Sequence, residues 1–120
     1  MAETEMESVV KKSFDNPDRT LKGNKAKAEM VMIQDQPVTR FTLNHGARFS
    51  KEGQPTEGQE LMREFIHHVG LQISGETRIR TDAGEEVTLR PGDVVYTPTI
   101  QEFGTEGLHQ SVFITTPIIE

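Results

Sequence analysis

The chain alternates short apolar runs with turn-forming residues, and this rhythm predicts strands. Apolar positions recur in Val9-Val10, in Ala28–Ile33 and in Val38–Leu43, separated by Asp15-Asn-Pro-Asp18, Asp35-Gln-Pro37 and Asn44-His-Gly46. The second half alternates more strictly. Thr77, Ile79 and Thr81 fall opposite Glu76, Arg78 and Arg80, and Val87 and Leu89 fall opposite Glu86, Thr88 and Arg90, with Thr81-Asp-Ala-Gly84 as the turn between them. A period of two places successive side chains on opposite faces, so these are the half-buried strands of one hairpin. Arg90-Pro-Gly-Asp93 predicts another tight turn, followed by strands at Val94–Thr97 and Gln110–Thr115. Only Gly58–Phe65 has helical composition, and it is short enough to be an ordered loop instead. Residues 1–7 are acidic and aperiodic and are expected to form a frayed tail before a single domain spanning 8–120. Many short strands with almost no helix predict an all-β sandwich or barrel.

Composition narrows the chemistry. The 13 basic and 19 acidic residues give a net charge of -6. No Lys/Arg cluster interleaved with aromatics occurs, so neither nucleic acid nor an anionic membrane is the expected partner. No apolar run reaches the roughly 18 residues of a membrane span, and the acidic start is unlike a signal peptide, which leads to an expectation of a cytoplasmic protein. The absence of cysteine removes disulfides, thiol nucleophiles and thiolate metal ligands. Any metal would need His, carboxylate or amide donors. There is no Gly-x-Ser-x-Gly elbow and no Gly-rich phosphate loop.

Residues Gly46 to Gly107 resemble the cupin superfamily, small jelly-roll barrels that carry two short motifs. Gly46 opens the first motif and Gly75 closes it, while Gly92 and Pro98 match the second. The resemblance implies a cupin-like jelly-roll β-barrel. It also locates the family's metal-ligand positions, where this chain differs: the two leading histidine positions fall on Glu52 and Gln54, and the final one falls on Phe103. His68 stands seven residues before Gly75, where the family often has glutamate, and 13 residues separate it from Gln54 rather than the usual three or four. Ile100 and Gly107 occupy the second motif's Gly and Asn positions. Members of this family include metal-dependent dioxygenases, isomerases and decarboxylases.

Alternation back from Gly75 points Ile66, His68, Gly70 and Gln72 into the barrel, and His67, Phe65, Val69 and Leu71 outward. One inward histidine is not a metal site, because a catalytic cation needs at least three converging protein ligands. His68 would require Glu52 together with Gln54 or Gln101. Its simpler role is that of a hydrogen-bonded interior histidine. His45 and His109 read as solvated loop residues. Glu52 and Glu102 are placed at the barrel mouth, where a carboxylate in an apolar setting could serve as a general base. Phe49, Leu61, Met62, Arg63, Phe65, Ile100, Phe103 and Leu108 lie in or beside loops rich in Gly and Glu. They form either an exposed interaction patch or a plug at the barrel end.

These residues support a metal-free, cofactor-free binding module that holds a protein partner or a small organic ligand at the barrel mouth. The alternatives are a metal-dependent enzyme with an atypical site around His68 and Glu52, and an engineered cupin scaffold with a redesigned mouth. Val9, Val10, Met30 and Met32 suggest strand-edge pairing in a homodimer.

Overall fold

The computed structural model describes residues 8–50, 56–63 and 67–118. Ten strands and one helix follow one another: β1 (Arg19–Gly23), β2 (Ala26–Ile33), β3 (Gln36–Leu43), β4 (Arg48–Ser50), α1 (Thr56–Arg63), β5 (His68–Ser74), β6 (Glu76–Thr81), β7 (Glu86–Leu89), β8 (Val94–Thr97), β9 (Ile100–Glu106) and β10 (Ser111–Pro117). They form two antiparallel sheets, one ordered β1-β2-β3-β10-β5-β8 and the other β4-β9-β6-β7. This is the all-β architecture that the strand rhythm predicts, in the jelly-roll form that the cupin resemblance implies.

The turns form as their residues dictate. Gln34 and Asp35 both hold positive φ between β2 and β3, which matches the right-handed twist of the hairpin they join. In the turn after β6, the Gly84 amide donates to the Thr81 carbonyl at 3.0 Å. Asp93 closes the turn after β7, its carboxylate accepting from the Arg90 amide at 2.8 Å. Gly75 has φ +67°, and a Cβ built there would lie 2.1 Å from the Gln110 carbonyl oxygen. Only glycine fits that crossing between β5 and β6.

The core is aromatic. Phe41, Phe49, Phe103 and Phe113 are essentially fully buried, with Leu43, Leu61 and Ile100 packed beside them. Phe41 stacks on Phe113 with ring centroids 4.8 Å apart, and Phe49 stacks on Phe103 at 5.4 Å. Phe103 also meets Phe41 and Phe113 edge-on, joining the inner faces of both sheets. Helix α1 lies where the two sheet edges β1 and β4 approach, and Leu61 and Phe49 both lie close against Gly23.

Three expectations change here. The Val9-Val10 run is not a strand and is exposed. Met30 pairs with Arg19 on one side and Thr39 on the other, so it lies inside the sheet, and the Met32 amide is capped by the Asp18 carboxylate at 2.8 Å. Neither methionine therefore offers a free strand edge. The segment expected as mouth loop around 100–106 is instead β9, a central strand paired with β4 and β6.

Candidate functional site

Strand β5 carries the inward row expected from the sequence. His68, Gly70 and Gln72 are buried, whereas His67 and Leu71 are exposed and Val69 is half-buried. Across the sheet, Gly70 aligns with Val95 on β8 and with Thr115 on β10, and Thr115 aligns with Thr39 on β3. His68 pairs with Thr97 one step nearer the rim, and the Thr97 hydroxyl donates to the His68 carbonyl at 3.2 Å. The result is an inner wall of three threonines and one imidazole. Thr39, Thr97 and Thr115 are at most 2% exposed, and His68 is 8% exposed. Phe41 and Phe113, two residues along their strands from Thr39 and Thr115, form the adjoining aromatic layer.

Gln72, in register with Phe113, belongs to a different cluster, and its amide turns away from the threonine level. Its amide nitrogen donates to the carbonyls of Ser74 and Gly75 and to the Ser111 hydroxyl, at 2.9, 3.1 and 3.0 Å. Thr77 closes the cluster through its contact with the Ser111 hydroxyl. These bonds pin the β5–β6 crossing to β10. They do not reach His68.

The expected interaction patch divides. Phe49, Leu61, Met62, Ile100 and Phe103 are buried in the core, so they plug the barrel and cannot anchor a partner. Arg63 and Leu108 are exposed, Leu108 at 78%. Gln101 is half-buried on β9. Glu52, Gln54 and Phe65 lie outside the described residues, as does Ile66. Glu102 is not at the mouth. It neighbours Phe103 in β9 and so points to the opposite, outer face, where Arg48 and Arg80 both donate to its carboxylate, the Arg80 contact being 2.8 Å. A carboxylate committed to two guanidinium groups is not positioned as a base for the interior. His45 and His109 are exposed in their loops, and the His45 Nδ1 lies 3.2 Å from the Gly107 carbonyl oxygen.

The donor set also bears on a metal. Among the described residues, no group of three His, Cys, Asp or Glu side chains is placed to hold one ion. At the last motif position, Phe103 fills the interior with a ring that offers no donor and stacks directly on Phe49. His68 is the single described residue at a motif ligand position with a metal-binding atom, and one imidazole does not meet the three-ligand requirement. The described residues do not fit a metal.

No family model matches the chain, and no curated protein does either. Solved structures do. The chain is similar to a Cupin 2 conserved barrel domain protein from Salinispora arenicola, at 14% identity and a TM-score of 0.58, over 93% of this chain and 89% of that one. It is similar to the Cupin_2 domain of an XRE family transcriptional regulator from Enterobacter cloacae, at 15% identity and a TM-score of 0.59, over 81% of this chain and all of that one. A cupin superfamily protein from Desulfitobacterium hafniense matches at 18% identity and a TM-score of 0.53, over 88% of this chain and 82% of that one. The chain has the cupin fold. The scaffold residues Gly75, Gly92 and Pro98 thus mark the turns and strand ends of a cupin barrel, while the last donor position of the family's motif is filled by the packed ring of Phe103.

Proposed function

We propose that this cupin-fold chain is a metal-free binding module that takes a small polar organic ligand at the rim of the barrel, against His68, Thr97, Thr115 and Thr39. The observation that carries the reading is the layering of the interior: hydroxyls and one imidazole line one level, and the level beneath is closed by two stacked pairs of phenylalanines that meet edge-on. Hydroxyl and imidazole groups are of the kind that can both donate and accept, while the aromatic layer supplies an apolar stop. The comparisons lend support of a general kind, since the similar structures include a cupin domain of a transcriptional regulator, a protein named for regulation.

The enzyme reading rests on the same residue. His68 is inward and buried, and the similar structures also include the polyketide cyclase RemF of Streptomyces resistomycificus, at 14% identity and a TM-score of 0.55 over 77% of this chain and 63% of that one. Two measurements separate the readings. Elemental analysis of protein purified without chelator is expected to find no stoichiometric transition metal. Ligand-observed NMR against a panel of small hydroxy acids, sugars and amides is expected to give binders that are lost with His68→Ala and Thr115→Val, with far-UV circular dichroism showing that both variants remain folded. Stoichiometric iron, manganese, nickel or zinc that disappears with His68→Ala would overturn the binding reading in favour of metal catalysis.

A further inference from the structure

The outer face of β1, β2 and β3 gathers positive charge in a chain whose net charge is -6. Lys22 stands directly opposite Lys27 in the β1–β2 pairing, and the same row continues through Thr42 on β3 to Val112 on β10. Residues in register share a face, so two like charges are neighbours there, an arrangement that costs stability. Lys25 adds a third ammonium group. It is the second residue of the two-residue turn between β1 and β2 and holds φ +63°, a backbone region that favours glycine or asparagine. Its Nζ rests against Gly46, 3.1 Å from where a Cβ would stand on that residue.

These lysines border one concavity of about 660 Å³, within the usual size of a small-molecule site. Among the described residues its lining includes four cations, Lys22, Lys25, Lys27 and Arg40, and no carboxylate. Glu29, one row along the sheet, accepts from Arg40 at 3.1 and 2.8 Å and lies 3.5 Å from Lys27. Lys22 and Lys25 have no carboxylate partner among the described residues. The contrast with other cations is clear, since Lys12, Arg48, Arg78, Arg80 and Arg90 each meet an Asp or Glu. At the end of the groove Gln110 donates its Nε2 to Asn44 Oδ1 at 2.9 Å, which leaves the Asn44 amide hydrogens for another acceptor.

We propose that this groove is a ligand site on the opposite face of β3 and β10 from Thr39 and Thr115, and that it takes a small organic molecule bearing a phosphate group. Charge complementarity selects the ligand. A phosphate monoester carries nearly two negative charges at neutral pH and presents three acceptor oxygens, so it answers adjacent ammonium groups that a lone carboxylate would leave half compensated. An ammonium group is a point charge that meets a tetrahedral anion from any direction. The one guanidinium here, whose fork suits a planar carboxylate, is already taken by Glu29. The net charge of -6 opposes a long polyanion, whereas a small one senses chiefly the charges within a Debye length of about 10 Å.

Inorganic phosphate and glycerol phosphate are the probes, titrated into the full chain at low salt and followed by amide proton–nitrogen correlation spectra. The amides of Lys22, Lys25, Lys27 and Asn44 are expected to shift saturably, with glycerol phosphate binding at least as tightly as inorganic phosphate. The double variant Lys22→Gln, Lys27→Gln should weaken glycerol phosphate about tenfold. Both lysines are exposed, so its circular dichroism spectrum should match wild type. Glu29→Gln should act in the opposite direction and tighten binding severalfold, because it frees Arg40 and Lys27, an effect that a damaged fold would not give. Arg90→Gln removes the same charge from the turn after β7 and should leave binding unchanged. Shifts that fail to saturate, binding that survives loss of both lysines, or equal weakening by Arg90→Gln overturns the site. Citrate that binds more tightly than glycerol phosphate, or inorganic phosphate that binds where glycerol phosphate does not, overturns the assignment to an organic phosphate.

Discussion

Truncating Phe103 to alanine tests whether the aromatic residues near the barrel mouth pack the interior or wait for a partner. The ring is fully buried, stacks on Phe49 at 5.4 Å and meets Phe41 and Phe113 edge-on at 6.2 and 6.4 Å. Burying one phenylalanine removes roughly 150–250 Å² from water, and at about 25 cal/mol per Å² this corresponds to about 4–6 kcal/mol as an upper bound. Measured Phe→Ala costs in cores are about 3–5 kcal/mol, and that is the loss expected here. A domain of this size has about 5–15 kcal/mol of stability in total, so the variant should fold marginally, with its melting temperature lowered by roughly 10–25 °C. The assay is urea unfolding followed by far-UV circular dichroism, with the slope checked for two-state behaviour. Leu108→Ala is the control. At 78% exposure it should shift stability by no more than about 0.5 kcal/mol. If Phe103→Ala costs less than about 1 kcal/mol, the packing argument fails and the ring must be sought at a surface.

Two more substitutions probe the backbone and the charges. Gly75→Ala should destabilise by about 3 kcal/mol or more, because it adds a clash with the Gln110 carbonyl to left-handed strain, whereas Gly84→Ala, with φ +93° and nothing within 4 Å, should cost only about 1 kcal/mol; equal losses in denaturant titrations would refute the account. Burial opposes ionisation of Glu29, but hydrogen bonds and charge from Arg40, with Lys27 adding to them, outweigh it and hold the carboxyl below the ordinary glutamate range. A lowered folded value contributes stability above the unfolded value that disappears as pH falls through the folded one. The stability advantage of wild type over Glu29→Gln should therefore be full near neutrality and shrink between about pH 5 and pH 3, and a gap that stays constant in thermal melts over that range would contradict it.

The fold was legible where alternation was regular. The β6–β7 hairpin follows directly from its period-two pattern, β8 and β10 follow from a turn signal and β-branched composition, and the inward set His68, Gly70 and Gln72 follows from counting back along β5 from Gly75. β9 was not legible, and the reason is a bulge. Phe103 pairs with Ile79 but Ile100 pairs with Thr81, so three steps on one strand face two on the other. Both Ile100 and Phe103 point inward although they are three residues apart, and a search for strict alternation reads such a segment as loop. The same bulge explains Glu102. Its proximity to Phe103 and to the second motif suggested the mouth, while its true parity sends it outward to Arg48 and Arg80. β1 escaped notice because Leu21 is its one large apolar residue, and its strand identity comes from pairing with β2.

The aromatic layer and the family's metal site compete for the same interior. A cation needs several donors converging through a hydrated or polar space, whereas Phe103 stacked on Phe49 and set against Phe41 and Phe113 fills that space with carbon. Lone donors beside such a cluster gain little, since each would be desolvated without the coordination bonds that offset its burial. In a chain of 120 residues the exchange has a structural benefit, because small domains bury a limited share of their surface and four interlocked rings give both sheets a common contact. Among the described residues, the centre is given to packing. His68 and the threonines stand above the aromatic layer, and the outer face of β5, β8 and β10 lies on the other side of the same strands. His68 faces the interior while Val69 and Leu71, its neighbours on β5, face outward, because successive residues of a strand point to opposite sides.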